Sequence, residues 1–293
     1  MSTEKGSLMD LIQSDISKYE GVRVLVKASL PERLLVRKLS IKKLHPNPDD
    51  EFSFPSIGPN FSIISDYERR IRMGKLWTDN PDDEPLYVEK MRPDGYMILN
   101  GHHRWFAAMM AGLRRVPVRV VNTTRDSDID AMLNKSENDK RVALDLDEVV
   151  FSSEGTFEKK PMFVPRTFGK EHVRLGIPAL TQFLSGRGYD IWVYSNKLYP
   201  DDIISRLLFA YHIRANGVIA GYSRKRWKQM NIGEQIEKKI MNKYSTTLNI
   251  TNEEIIKINS EAGDFTQFDI GCEPSEWSKT VIQTIKGWDD EKR

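Results

Sequence analysis

The sequence predicts an α/β protein of two domains, and three observations predict it. A chain of 293 residues, 39% of them hydrophobic, is long enough to bury two ordinary cores. From Arg141 to the C-terminus short apolar runs alternate with helical patterns, as in a doubly wound parallel sheet. Before Asn122 the pattern differs: a Pro-Asp-Gly hairpin signal runs directly into a helix that starts at Gly101 and stops at Gly112.

Composition excludes several classes. With 29% charged residues and a mean hydropathy of −0.50, and no apolar run near the roughly 18 to 20 residues of a membrane helix, no membrane partner is expected. The start, Met1-Ser-Thr-Glu-Lys-Gly6, lacks a signal-peptide pattern, so the expected location is cytoplasmic. One cysteine, Cys272, leaves no internal disulfide and no zinc-finger spacing. A net charge of +2 does not by itself announce nucleic acid, so local basic clusters must carry that case.

Residues 1–35 read as a polar arm and a helix, with Leu8, Met9, Leu11, Ile12 and Ile16 at helical spacing. The mixed apolar and basic stretch Leu34 to Leu44 suits a strand or two. Three prolines and three acids make His45 to Pro55 a loop, and Ile57-Gly-Pro-Asn60 is a further turn. Ile63 to Met73 follows as a helix with a solvated charged face. Leu86 to Lys90 and Tyr96 to Leu99 form the hairpin, and Val116 to Val121 is another strand. The polar stretch 123–140 reads as a linker with one short helical patch.

In the second half, Phe151 to Phe168 reads as an irregular loop or hairpin. Helices are expected at Ile177 to Arg187, Ile203 to His212, Gly233 to Lys243 and Glu253 to Ala262. Strands are expected at Tyr189 to Tyr194, Gly217 to Ala220, Thr246 to Ile250 and Phe265 to Asp269.

Two stretches carry chemistry. In Arg141-Val-Ala-Leu-Asp-Leu-Asp-Glu-Val-Val150 the carboxylates of Asp145 and Asp147 stand two positions apart, which in a strand points both the same way at its C-terminal tip. Such a pair suits a metal, phosphate chemistry, or both. At the hairpin–helix junction, Gly101 permits a tight turn, and the free N–H groups of the helix start favour an anion. His102, His103 and Arg104 add side-chain donors, so the junction reads either as a phosphate cradle or as a polar helix start facing water.

The run Tyr96 to Val118, with Asn100-Gly-His-His-Arg104 at its centre, resembles the signature region of the ParB/sulfiredoxin superfamily over residues 36–122. That resemblance implies an α+β domain that holds a nucleotide's phosphates with Asn100, Gly101, His102, His103 and Arg104, the nucleotide being ATP, ADP or CTP. The Gly-His-His-Arg form is closer to the free-serine kinases of that superfamily than to its partition proteins. Asn100 stands where aspartate is common, and Glu51 matches the glutamate that serves the kinases as base.

Residues 141 to about 287 resemble the haloacid dehalogenase-like (HAD) phosphohydrolases, through the Asp145-Leu-Asp147 strand end and a later apolar strand ending in Ser195-Asn196. The resemblance implies a Rossmannoid domain, 141–293, without a large cap. Asp145 would be the nucleophile and Asp147 the acid and base, with Ser195 and Asn196 holding the phosphoryl oxygens. A cationic Lys225 or Lys228 is implied as well, with Lys228 favoured. It further implies Mg²⁺ on Asp145, Asp147 and a carboxylate after the Thr246–Ile250 strand. There this chain has Thr251-Asn252, with Glu253 behind, so Asn252 and Glu253 are the remaining candidates.

The open sheet edge that a capless domain leaves favours a large substrate or one whose own body excludes water, such as a nucleic-acid end or a protein, and the expected partners are a phosphorylated small molecule or a nucleic-acid end. Tyr222-Ser-Arg-Lys-Arg-Trp-Lys228 mixes cations with aromatics, as a nucleic-acid contact or a solvated loop would. The expected function is two-domain phosphotransfer, a nucleotide-binding, kinase-like domain joined to a Mg²⁺-dependent phosphatase. The alternative is a ParB-like DNA-binding or nuclease protein on a degenerate HAD scaffold. The sequence does not set an oligomeric state.

Overall fold

Helix α1 (Ser2–Lys18) turns Leu8 and Ile12 inward and leaves Leu11 in water, the division its helical spacing demands. The computed structural model describes residues 2–77, 84–220, 232–260 and 262–290, and the chain divides into two units, Met1–Asn122 and Thr123–Arg293.

In the first unit, α1 is followed by β1 (Val24–Leu25), α2 (Leu30–Leu35), β2 (Lys38–Ser40) and β3 (Leu44–His45). Then come α3 (Phe61–Arg72), β4 (Leu86–Arg92), β5 (Tyr96–Asn100), α4 (His102–Met110) and β6 (Arg115–Val120). The mixed sheet runs β2-β6-β4-β5-β3, with β1 beside β4. Helix α3 starts where the Asn60 side chain accepts from the N–H groups of Ser62 and Ile63. The β4–β5 hairpin closes at Pro93-Asp-Gly95, where Gly95 has a φ of 76°. Leu86, Val88 and Ile98 of the sheet pack with Ile64 of α3 and Trp105 of α4 in one apolar cluster.

The second unit begins with α5 (Asp126–Lys135), inside the stretch expected to be a linker. Its Ile129 is fully buried against Trp192, Ile219, Ile240 and Tyr244, so this segment is core rather than tether. After it come β7 (Lys140–Asp145), α6 (Ile177–Ser185), β8 (Tyr189–Ser195), α7 (Asp201–Ala210) and β9 (Gly217–Ala220). The chain ends with α8 (Ile232–Lys243), β10 (Thr246–Ile250), β11 (Glu254–Asn259), β12 (Asp264–Asp269) and α9 (Trp277–Asp290). The sheet order is β12-β11-β10-β7-β8-β9, parallel from β10 to β9 and antiparallel at β11 and β12.

Two expectations fail here. The segment expected as a helix from Glu253 is the strand β11, because Thr251 closes a tight turn. Its hydroxyl accepts from the N–H groups of Glu253 and Glu254, and the chain folds straight back along β10. Ile255, Ile256 and Ile258, β-branched and stiff, suit that ladder better than a helix. The sheet is therefore parallel only in its four-strand centre. Among the described residues no helix is long and apolar enough to cross a membrane.

A buried polar knot ties α5's trailing loop to the sheet. Asp190 is fully buried and accepts from the Ser136 hydroxyl, from Asn138 Nδ2 at 2.7 Å and from the Tyr244 hydroxyl at 2.7 Å. Trp192 Nε1 donates to that same Tyr244 oxygen at 3.0 Å. Burial pushes the Tyr244 phenol up to about 12, so it stays a donor. Asp190→Ala would leave the buried Tyr244 hydroxyl and two half-buried donors without their acceptor and should cost about 3 kcal/mol. Urea unfolding should show a lower midpoint with an unchanged slope.

Candidate functional site

At the junction of β5 and α4, Gly101 has a φ of 100°, and a Cβ there would stand 2.6 Å from Leu86 Cδ2. Only glycine fits, for backbone and for space. Arg104, one turn into α4, is buried, with Nη1 donating to the Glu84 carbonyl at 2.5 Å. Its Nη2 lies 3.4 Å from the Glu84 carboxylate and 3.5 Å from Asn100 Oδ1. Asn100, Gly101 and Arg104 thus meet at one point.

The two histidines are each held by a backbone N–H from another segment. His102 is buried, and its Nε2 accepts the backbone N–H of Asn47 at 3.1 Å. An accepting Nε2 places the ring proton on Nδ1, which faces Asp50 Oδ1 at 3.5 Å. His103 Nε2 likewise accepts the backbone N–H of Asn60 at 3.1 Å. Both rings pack on Phe52, at 5.4 Å and 5.1 Å between centroids. They fasten the loop that carries Glu51 and the start of α3 to the start of α4. Glu51 sits exposed in a short 3₁₀ turn, Glu51–Ser53, capped by Asp50. Asp50, which sequence reasoning passed over, is the carboxylate nearest His102.

In the second unit the strand order reverses at β7, which has β10 on one side and β8 on the other. That is the topological switch point, where ligands of such sheets bind at the carboxyl ends. Asp145 ends β7 there and Ser195 ends β8. Asp147 does not share the strand with Asp145. It lies in a π-helical turn, Leu146–Val150, because Asp145 stops the strand by accepting the N–H groups of Asp147 (2.7 Å) and Glu148 (3.0 Å). Burial raises the Asp145 carboxyl above its ordinary range, against the pull of those two N–H bonds.

The turn swings Asp147 onto β8. Its Oδ2 accepts from Ser195 Oγ at 2.8 Å and from the Asn196 N–H at 3.2 Å, and Lys197 Nζ stands 3.2 Å from its Oδ1. Burial pulls the Lys197 ammonium down, but the Tyr199 hydroxyl and Asp147 outweigh it and hold the lysine above its usual range. Glu171 is a second, longer partner at 3.8 Å. Lys197 was missed in the sequence although it follows Ser195 by two positions. Lys225 and Lys228 lie outside the described residues.

The expected magnesium ligands are not assembled. Asn252 Oδ1 accepts from Arg174 Nη2 at 2.5 Å, so a guanidinium already occupies that oxygen. Glu253 is exposed and its N–H is spent on the Thr251 turn. Among the described residues no three His, Cys, Asp or Glu side chains converge as a metal site. These donors do not fit a hard cation, which needs several oxygens facing it at one point. Arg174 also donates from Nε to the Val149 carbonyl (3.1 Å) and from Nη2 to the Glu148 carbonyl (3.3 Å), and lies over Trp277.

Residues 79–137 match the ParB N-terminal domain family. The chain is 33% identical over 64 residues to an ATP-dependent L-serine kinase of Desulfurococcus mucosus, a match covering 22% of this chain and 25% of that protein. It therefore spans about a quarter of the length of that curated relative. Two solved structures of C-terminally truncated chromosome-partitioning ParB from Caulobacter crescentus are similar to part of the chain. The one complexed with CTP-γ-S is 26% identical, covering 35% of this chain and 55% of that one, with a TM-score of 0.24. The other, complexed to the centromeric parS site, is 27% identical, covering 33% and 47%, with a TM-score of 0.23.

Burial holds the His103 pKa below its ordinary value, against the weaker opposing pull of Asp50. A doubly protonated ring also loses the acceptor that Asn60 uses. A depressed histidine contributes stability that is present above the unfolded-chain pKa of about 6.5 and is lost as pH falls through the lower folded value. Wild type should therefore melt at progressively lower temperature below about pH 6.5, and His103→Gln, which keeps an acceptor but no titration, should flatten that slope.

Proposed function

We propose that the chain is a two-part phosphotransfer protein, binding a nucleotide at Asn100–Arg104 and handling a phosphoryl group at Asp145, Asp147 and Ser195. The observation that carries the second half is the meeting of two carboxylates and a hydroxyl at one switch-point edge, with Ser195 Oγ 2.8 Å from Asp147. The HAD-like order of these residues along the chain supports the same reading. Asp145 attacks phosphorus, the bond to the leaving oxygen breaks, and Asp147 supplies that oxygen's proton. Water then attacks the aspartyl-phosphate and gives its proton to Asp147, and the bond to Asp145 breaks. Ser195 and the Asn196 N–H hold the phosphoryl oxygens. Magnesium has no assembled ligand set at this edge among the described residues, so the charge is met by the chain's own groups.

The first half rests on the ParB N-terminal domain match and on the likeness to the serine kinase. Both support a nucleotide, ATP, ADP or CTP, at the helix start; in this reading Arg104 grips its phosphates, and Glu51, outside the matched residues 79–137, serves as base toward a hydroxyl acceptor. The second reading, favoured by the same ParB match, is a nucleotide-switched DNA-binding protein or nuclease whose second unit is only a scaffold.

Phosphomonoesters and nucleotides should be screened with wild type, Asp145→Asn and Arg104→Ala. Asp145→Asn should lose about 10³-fold or more of phosphomonoester turnover while nucleotide binding persists. Arg104→Ala should weaken nucleotide binding about tenfold or more and leave phosphomonoester turnover in place. Salt-sensitive duplex binding without any phosphate transfer would establish the DNA-binding reading instead. Strand cleavage that survives Asp145→Asn would establish the nuclease.

A further inference from the structure

The geometry points to Lys197, with Ser195 and the Asn196 N–H, as an anion cradle that the protein's own Asp147 carboxylate fills until substrate phosphate displaces it. This rests on the phosphoryl-handling reading of the same site.

Two donors and a cation converge on one carboxylate: a hydroxyl at 2.8 Å and a backbone N–H at 3.2 Å on Oδ2, and an ammonium that forms an ion pair with Oδ1 at 3.2 Å. A phosphoryl group asks for the same set, since its oxygens accept hydrogen bonds and carry charge that needs a cation. Asp147 is largely buried while Lys197 is about half exposed, with side-chain exposures of 12% and 53%. The ammonium can therefore swing a short way without disturbing the core. The backbone N–H of Lys197 also fixes the site, donating to Ser195 Oγ at 3.1 Å.

The opposite side of the site explains why a side-chain cation is needed. Arg174 is spent on the Glu148 and Val149 carbonyls and on Asn252, so it neutralises the turn rather than an incoming anion. Lys197 is the cation whose ammonium stands against Asp147, the carboxylate that Ser195 holds, among the described residues. Displacement of Asp147 from the cradle also frees its carboxylate to take a proton, which its acid role requires.

The test is a titration of the full chain with inorganic phosphate in EDTA, followed by the backbone amide resonance of Asn196. Wild type should bind, Lys197→Met should bind about tenfold more weakly or worse, and Lys197→Arg should recover part of the loss. Asp147→Asn, which removes the internal competitor and its charge, should bind several-fold more tightly than wild type. Equal affinity in Lys197→Met and wild type overturns the inference, as does unchanged or weaker binding by Asp147→Asn. So does binding that appears only when Mg²⁺ is added. Each of those results leaves the Asp145 reading standing, because that is judged by phosphomonoester turnover in Asp145→Asn. Wild type that binds no phosphate with or without Mg²⁺ overturns the cradle as well, while equal phosphomonoester turnover in Asp145→Asn and wild type overturns the Asp145 reading.

Discussion

When β7 ends, the backbone N–H groups of Asp147 and Glu148 lose their ladder partners, and the Asp145 carboxylate takes both. A side-chain oxygen that accepts two successive N–H groups offers the backbone an alternative to the ladder, so this local capture decides where the strand stops and which way the chain leaves it. The carbonyl side of the same turn is held by Arg174, through Glu148 and Val149. Clamped on both sides, the turn presents Asp147 to the end of β8. Ser195, Asn196 and Lys197 then follow as its partners, and the site depends on that clamp more than on any one reactive group.

A similar economy governs the first unit. His102 and His103 have the look of reactive side chains, yet each spends an acceptor nitrogen on a backbone N–H from another segment. Those bonds hold the Asp50–Ser53 turn and the start of α3 against α4, with Phe52 filling the space between the rings. Arg104, Asn100 and Gly101 remain at the junction itself. The histidines' contribution is to keep that junction in shape, a role that burial makes stronger for the His102 bond, which water cannot replace.

The sheet of the second unit supplies the stage. Its centre is covered on both faces, by α6 and α9 residues such as Leu180 and Val281 on one and by Ile129, Ile240 and Tyr244 on the other. Parallel strands covered in this way expose only their ends. Chemistry is therefore confined to the loops at the carboxyl edge, where β7 sits between β10 and β8. The Asp190 knot, remote in sequence from Ser136 and Tyr244, locks the start of β8 and so the register that delivers Ser195.

The amino-acid order alone determined most strands and helices, the Gly101 junction and the strand-end positions of Asp145 and Ser195, because each of these is written in local periodicity or in a residue with a fixed backbone preference. It misplaced Asp147, which spacing put on the strand, since a side chain's capture of two N–H groups overrides a two-residue period. It also made β11 a helix, because the Thr251 turn and pairing with β10 outweigh the propensity of an isolated stretch. The roles of Asp50, Lys197 and Arg174 were decided only by the tertiary structure. Each depends on a partner brought close by strand order or loop packing, as Arg174 is to Asn252. Distances of that kind come from folding the whole unit, and no run of neighbouring residues encodes them.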